Sequence, residues 1–350
     1  MNNFIKVGNK KIGEGEKTFI IAEMSANHLQ SFERAVEIIK KAKESGADAI
    51  KFQTYTPDTI TIDCDNEYFQ IKQGTIWDGT TLYKLYEKAY TPWEWQPKLK
   101  KIAEDLGLIC FSSPFDKSSV DFLEAMNVPA YKIASFEITD IPFIEYIASK
   151  GKPVIMSTGI ATLGDIEEAL KACYRMGNNQ IALLKCTSAY PSPLEDINLR
   201  TIPNMKETFK TVVGLSDHTL VSTVSLGAVA LGAKIVEKHF TLKREEGGPD
   251  AKFSMEPEEF KAMVQGIREM EKALGTVTYE LTEKQKNSRE HSRSLFVVKD
   301  IKKGEVFTKE NVKSIRPGFG MKTKYIGNVL GKKARYDIKK GMALEWSLIS

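Results

Sequence analysis

A chain of 350 residues is too long for one ordinary compact core and short for three, which favours one large and one small domain. Its hydrophobic content of 42% and charged content of 27% are those of a soluble globular protein, and no apolar run is long enough to span a bilayer. The net charge of +4 hides an asymmetry: Lys284 to Ser350 carries 17 Lys and Arg against 6 Asp and Glu, the preceding residues 33 against 40. No nucleic-acid module signature accompanies the basic tail, so a docking module or a lid over an anionic substrate is expected instead. The four cysteines form no C-x-x-C pair and Met1 to Lys17 lacks an apolar leader core, which together point to a reducing, cytoplasmic setting.

Asn3 to Lys17 contains Gly-Asn-Lys-Lys, a hairpin signal. Eight short apolar runs come next: Thr18–Glu23, Ala47–Gln53, Leu108–Ser112, Ala130–Ala134, Pro153–Ser157, Gln180–Cys186, Thr211–Leu215 and Lys234–His239. Most are continuous rather than alternating, as expected of strands covered on both faces. Helical patterns separate them, among them Ser31–Ser45, Lys98–Leu106, Lys117–Met126, Pro142–Ser149, Leu163–Arg175 and Thr219–Leu231. This alternation predicts an α/β fold, a TIM (β/α)8 barrel, over residues 1–281; a doubly wound open sheet is the alternative. The hairpin is expected to plug the barrel's N-terminal end. The long connection Tyr55–Trp95 is rich in aromatic residues, which are expected to pack a helical lid onto the barrel. Residues 282–292 are polar and read as a linker. Residues 293–350, with Lys-Lys-Gly turns, read as a small β-rich domain.

A barrel presents its reactive groups at the C-terminal ends of its strands. Those ends carry Glu23, Lys51, Gln53, Ser113, Lys132, Ser135, Glu137, Ser157, Ser216, His218 and His239. Lysines in apolar strands are costly unless they meet an anion, and with the serines they form a ring suited to a phosphate and a carboxylate. His218 and His239 stand at the ends of adjacent strands and can share a divalent metal with open positions, such as Mn2+, Mg2+ or Co2+. Glu23 and Glu137 can move a proton, orient substrate, or simply pair with the lysines.

The segments carrying these residues resemble the sialic acid synthase family, which condenses phosphoenolpyruvate with an N-acetylated amino sugar. The resemblance rests on Gly46-Ala47-Asp48-Ala49-Ile50-Lys51-Phe52-Gln53-Thr54, Tyr131-Lys132-Ile133-Ala134-Ser135, Met156-Ser157-Thr158-Gly159, Gly214-Leu215-Ser216-Asp217-His218-Thr219, Glu237-Lys238-His239-Phe240-Thr241 and Gly247-Gly248-Pro249-Asp250. The tail, with Arg316-Pro317-Gly318, is similar to that family's SAF (antifreeze-like, β-clip) domain. Ala22-Glu23-Met24-Ser25-Ala26-Asn27-His28, the run from Gln53 to Thr61 and Ser135-Phe136-Glu137-Ile138-Thr139-Asp140 look most like the pseudaminate-forming branch. Neuraminate-forming members tend to have Asn where this chain has Ser188, so that amide's role does not carry over.

The resemblance implies a transferase in which Lys51, Ser113, Lys132, Ser135, Ser157 and Ser216 bind phosphoenolpyruvate, His218 and His239 hold the metal, and Glu23 is the catalytic carboxylate. It further implies that Gln53, Glu137, Tyr190 and Asp250 face the sugar and that Arg316 reaches in from the other subunit of a domain-swapped homodimer. The implied sugar is a 2,4-diacetamido-2,4,6-trideoxy-L-altrose, and the product would decorate bacterial surface glycans or flagella. Neuraminate or legionaminate formation is the near alternative, and a non-catalytic sugar- or nucleic-acid-binding protein the distant one. Neither nucleic acid nor membrane is expected as a partner.

Overall fold

The computed structural model describes residues 4–72 and 74–350, and its contacts divide into two compact units between Gly275 and Thr276. The first opens with the antiparallel hairpin β1 (Phe4–Val7) and β2 (Lys10–Gly13), turning at Gly8; Asn3 lies outside the described residues. Ile5, Val7 and Ile12 are buried in the same apolar cluster as Phe19 and Ile21 of the first barrel strand. A side chain on Gly8 would meet Ile109 and Pro129, at the start of two barrel strands, so the hairpin covers the N-terminal end.

Eight parallel strands then close into a barrel: β3 (Phe19–Glu23), β4 (Ala49–Thr54), β5 (Ile109–Pro114), β6 (Tyr131–Ile133), β7 (Val154–Ser157), β8 (Ile181–Cys186), β9 (Val212–Asp217) and β10 (Ile235–His239). β10 pairs with β3, so the sheet has no edge and the open doubly wound arrangement is excluded. Helices Phe32–Glu44, Gln96–Asp105, Lys117–Ala125, Ile141–Ala148, Leu163–Arg175, Thr201–Phe209, Ser222–Ala230 and Pro257–Leu274 follow the successive strands. Local chemistry starts several of them. Ser31 accepts from the Arg34 backbone N–H, Asp116 from Ser118 and Ser119, and Thr162 from Asp165, each satisfying donors that a helix start leaves free.

Gly214 is a packing requirement. A Cβ there would lie 2.5 Å from the Ile235 carbonyl oxygen and 2.6 Å from Leu184 Cδ2, so only glycine lets β9 nest between its neighbours two residues before Ser216.

The connection after β4 holds short helices at Pro57–Ile60 and Leu82–Ala89. Its aromatic residues divide into three groups. Tyr90 and Trp93 are half-buried, Tyr68 is 81% exposed, and Trp77 and Tyr86 turn into the cleft above the barrel. The expected packing role therefore describes only part of the segment.

The second unit is built on a three-stranded antiparallel sheet, β12 (Val312–Ile315), β11 (Ser294–Val297) and β13 (Met321–Lys322), in that order. Its own core contains Leu295, Val297, Ile301, Phe307 and Leu344. The polar stretch expected as a linker includes a helix, Glu283–Ser288. Thr282 caps it and Gln285 reciprocates, which gives even a polar segment a local reason to be helical.

Candidate active site

Register brings the strand-end residues together. His239 of β10 lies opposite Glu23 of β3, Glu23 opposite Lys51 of β4, and Gln53 opposite Ser113 of β5. On the far side, Glu237 lies opposite Ser216 of β9. Neighbours in register on parallel strands share a face, and alternate residues along one strand share it too. Thus Glu23, Lys51, Gln53, Ser113, Ser216, Glu237 and His239 all point into the barrel mouth.

The floor of that mouth is a charged cluster removed from water. Lys51 Nζ lies 2.7 Å from Glu23 Oε2 without hydrogen-bond geometry, 3.6 Å from Glu237 Oε1, and donates to Ser113 Oγ at 3.1 Å. Lys132 Nζ donates to Ser157 Oγ at 2.7 Å and lies 3.8 Å from Glu237 Oε1. All four charged residues are at most 4% exposed. Burial raises Glu23 to about 7, against the pull of Lys51. Burial also works against the charge on Glu237, but Lys132 and Lys51 prevail and hold that carboxylate below its ordinary value. Lys132 is lowered, chiefly by burial, while Lys51 is raised because Glu23 and Glu237 outweigh the same burial. Unequal environments of this kind separate a proton-moving carboxyl from a permanently ionised one.

Ser135 completes the ring, its Oγ accepting from Ser188 Oγ at 2.8 Å and from the Ile160 backbone N–H at 3.1 Å. A Cβ on Gly159 would strike both serine hydroxyls, so the glycine leaves room for this pair and for what the hydroxyls face.

His218 follows β9 directly and His239 ends β10, with ring centroids 5.4 Å apart. His218 Nδ1 lies 3.1 Å from the Thr187 carbonyl oxygen. A carbonyl can only accept, so this nitrogen carries a proton and Nε2 is the atom left to meet a metal when the ring is neutral. Burial works against the charge on this ring, but Cys186 and the Thr187 carbonyl prevail and hold it above its ordinary value. Among the described residues His239 Nδ1 is buried with no hydrogen-bond partner, and burial, followed by the charges of His218 and Lys51, holds its ring well below the usual imidazole value. Two imidazoles, His218 through Nε2 once neutral and His239, fit a divalent metal, whose charge would displace the proton. Among the described residues no third His, Cys, Asp or Glu joins them, so the donor set suits an open site rather than a closed structural one.

Above this floor lies a cleft of about 510 Å³. Gln53, Ser135, Glu137, Ser188, Tyr190, His239 and Asp250 line its polar side. Gln53 Nε2 donates to Glu23 Oε1 at 3.0 Å and to Ser25 Oγ at 2.9 Å, and Ser25 in turn donates to Asp250. Tyr190 packs against His218 at 4.5 Å between centroids, and Trp77 leans on Tyr190 while its indole N–H donates to the Pro249 carbonyl. Glu137 pairs with neither lysine. Its Oε2 is buried without a hydrogen-bond partner among the described residues, and burial raises the carboxyl to about 7.

Every sequence-predicted residue of the barrel thus lies at one mouth. Arg316 belongs to the second unit, where it is exposed and has no ion-pair partner among the described residues. The sequence reasoning did not assign Glu237, although its place two residues before His239 on one strand puts it on the inward face. It also did not assign Ser25, Tyr55, Trp77, Tyr86 and Phe115, for which no local pattern announces a cleft.

A family model described as NeuB family matches residues 38–279, and one described as SAF domain matches residues 292–350. A pseudaminic acid synthase of Campylobacter jejuni subsp. jejuni serotype O:2 is 49% identical over 341 residues, covering 97% of this chain and 98% of the relative. The N,N'-diacetyllegionaminic acid synthase of the same organism is 38% identical, covering 93% of this chain and 98% of the relative. Among solved structures, an N-acetylneuraminic acid (sialic acid) synthetase from Leptospira borgpetersenii superposes with a TM-score of 0.74 at 31% identity, covering 82% of this chain and 95% of that one.

Proposed function

The chain belongs to the NeuB family, and from that premise we propose that it makes pseudaminic acid from phosphoenolpyruvate and 2,4-diacetamido-2,4,6-trideoxy-L-altrose. The choice of sugar follows the higher identity to the pseudaminic acid synthase than to the legionaminic acid synthase of one organism. The geometric observation that carries the chemistry is the pair of buried lysines, Lys51 and Lys132, each hydrogen-bonded to a serine hydroxyl beside two imidazoles.

In this proposal Lys51, Lys132, Ser113, Ser135, Ser157 and Ser216 hold the phosphate and carboxylate of phosphoenolpyruvate, replacing hydration with fixed charges and hydroxyls. His218 and His239 would hold a divalent metal, which supplies Lewis-acid polarisation to a carbonyl oxygen. Gln53, Glu137, Tyr190 and Asp250 orient the open-chain sugar. The methylene carbon of phosphoenolpyruvate bonds to the aldehyde carbon, the C=O π pair passes to the aldehyde oxygen, which takes a proton to become a hydroxyl, and a water adds at the former enol carbon. Glu23 accepts the proton of that water, which its raised affinity for a proton suits. The C–O bond from that tetrahedral carbon to the phosphate then breaks, phosphate leaves with the bonding pair, and the added hydroxyl loses its proton to give the keto group.

The test is a panel of N-acetylated sugars offered with phosphoenolpyruvate and metal, read by product mass. Pseudaminic acid from the diacetamido trideoxy sugar is the expected result; product only from N-acetylmannosamine would assign the chain to another branch. With oxygen-labelled water, the label is expected in the sugar acid. Label in the released phosphate would mean P–O cleavage and would refute the mechanism. We assign Arg316 of a second copy to the same substrate, on its exposed and unpaired guanidinium and the basic tail around it. Unchanged Michaelis constants and turnover in Arg316→Ala would remove it, and a monomer by sedimentation would remove the homodimer.

A further inference from the structure

One wall of the cleft differs from the rest in origin and chemistry. Tyr55, Ile60, Leu82, Leu85 and Tyr86 come from the long connection after β4, and Phe115 follows β5. None of the six is charged. Tyr55 is pinned edge-on against both Tyr86, with centroids 5.5 Å apart at 74°, and Phe115, at 5.2 Å and 78°, so the wall is a packed surface. Glu137, Tyr190 and Asp250 line the same cleft, so the wall adjoins the polar groups assigned to the sugar. Neither phenol has a hydrogen-bond partner among the described residues.

We infer that this wall is the specificity subsite for the end of the sugar remote from its aldehyde, taking a terminal methyl and an acetamido group. The inference rests on the assignment of a diacetamido trideoxy sugar. An acetamido group has an apolar methyl and a carbonyl acceptor. Ring faces suit the first, and a phenol O–H without an internal partner suits the second. Burial raises both phenols above their ordinary value, so both remain donors near neutral pH. A hydroxymethyl terminus would instead lie against Ile60, Leu82 and Leu85, whose side chains cannot hydrogen-bond it, and a 4-hydroxyl lacks both the methyl that the rings would pack and the extended carbonyl that the phenols would meet. The desolvation of the hydroxymethyl would go uncompensated. The selectivity therefore comes from the long loop, while the reacting end is handled by the barrel strands.

The full-length protein, with phosphoenolpyruvate and Mn2+, is assayed for phosphate release and product mass with three acceptors: the diacetamido trideoxy sugar, its 6-hydroxy counterpart and its 4-hydroxy counterpart. The wild type is expected to use each hydroxylated sugar at least about tenfold less efficiently, the scale on which one misplaced group alters kcat/KM. Leu85→Gln is expected to bring the 6-hydroxy sugar to within about threefold of the diacetamido one, and Tyr55→Phe with Tyr86→Phe to do the same for the 4-hydroxy sugar. In each case the change falls on the KM of the sugar. Should Leu85→Gln fail to fold, the isosteric phenylalanine pair decides. Product from the diacetamido sugar with unchanged ratios in the variants overturns the subsite and leaves the function standing. No product from that sugar, with turnover of N-acetylmannosamine, overturns the sugar assignment and the subsite with it.

Discussion

β10 carries ionic groups on both faces, and the two faces are finished differently. Outward, between the barrel and its helices, Lys238 Nζ lies 2.8 Å from Asp217 Oδ2, and both side chains are fully buried. Lys238 also donates to the carbonyl and hydroxyl of Thr219. Asp217 accepts from the Thr219 backbone N–H, the Thr219 hydroxyl and Ser225 Oγ. Every polar atom of this pair has a partner within the protein. Inward, on β10, Glu237 Oε2 and His239 Nδ1 are buried with none among the described residues, and Glu137 Oε2 is left in the same state. A buried group without a partner is expensive unless a ligand provides one. The outer pair therefore reads as structure: it ties β9 to β10, immediately beside both histidines. The inner cluster reads as a surface completed by substrate.

The two faces separate most sharply at Glu23 and at the outer pair. Glu23→Gln keeps shape and the hydrogen bond from Gln53 but removes the acid–base function. Turnover is expected to fall roughly 100- to 10,000-fold while the protein stays folded at the assay temperature. Steady-state kinetics with calorimetry checks both, and a loss of less than about tenfold would take proton transfer away from Glu23. At the outer pair the pattern reverses. Asp217→Ala or Lys238→Met alone strands a buried charge and is expected to cost about 3 to 5 kcal/mol in denaturant unfolding. The double variant Asp217→Leu with Lys238→Met is expected to lose less than the sum, since no charge is left uncompensated. Additive losses would mean the two residues do not act as a pair.

Much of this contrast was legible in the sequence. Strands covered on both faces announce themselves as continuous apolar runs, so all eight barrel strands fall within a few residues of their expected positions. The inward ring was legible because a lysine in such a run, as at Lys51 and Lys132, demands a partner. Lys238 carries the same signal, and periodicity alone cannot say which face is inside. Register settles that, and register is a long-range property: Lys238 lies opposite Asp217, while Glu237 lies opposite Ser216. The apolar wall of the cleft was not legible for a related reason. Tyr55, Tyr86 and Phe115 meet only after an irregular connection has folded back over the barrel, and local pattern carries no information about that approach. The helix at Glu283–Ser288 was missed because its capping box sits in a stretch with no apolar periodicity.

Glu137 gives the smallest and most specific test. Its carboxyl is raised to about 7 from an ordinary 4.5, chiefly by burial. The folded protein therefore holds a proton there through a range of pH in which the unfolded chain has lost it. Stability from this group is fully present below about 4.5, declines as pH rises through the interval, and is lost above about 7. Glu137→Gln cannot ionise. Relative to the wild type it is expected to gain roughly 1 to 3 kcal/mol above neutral pH and nothing at acid pH. Glu23 contributes a slope of the same sign, so the quantity to read is the difference between wild type and variant, from denaturant melts at several pH values. Saturating sugar should shrink that difference if a substrate donor meets the unpartnered oxygen. No substitution on the outer face should respond to sugar in this way, because its hydrogen bonds are already made. A wild-type-to-variant difference that shrinks with sugar for Asp217→Asn but not for Glu137→Gln would reverse the assignment of the two faces.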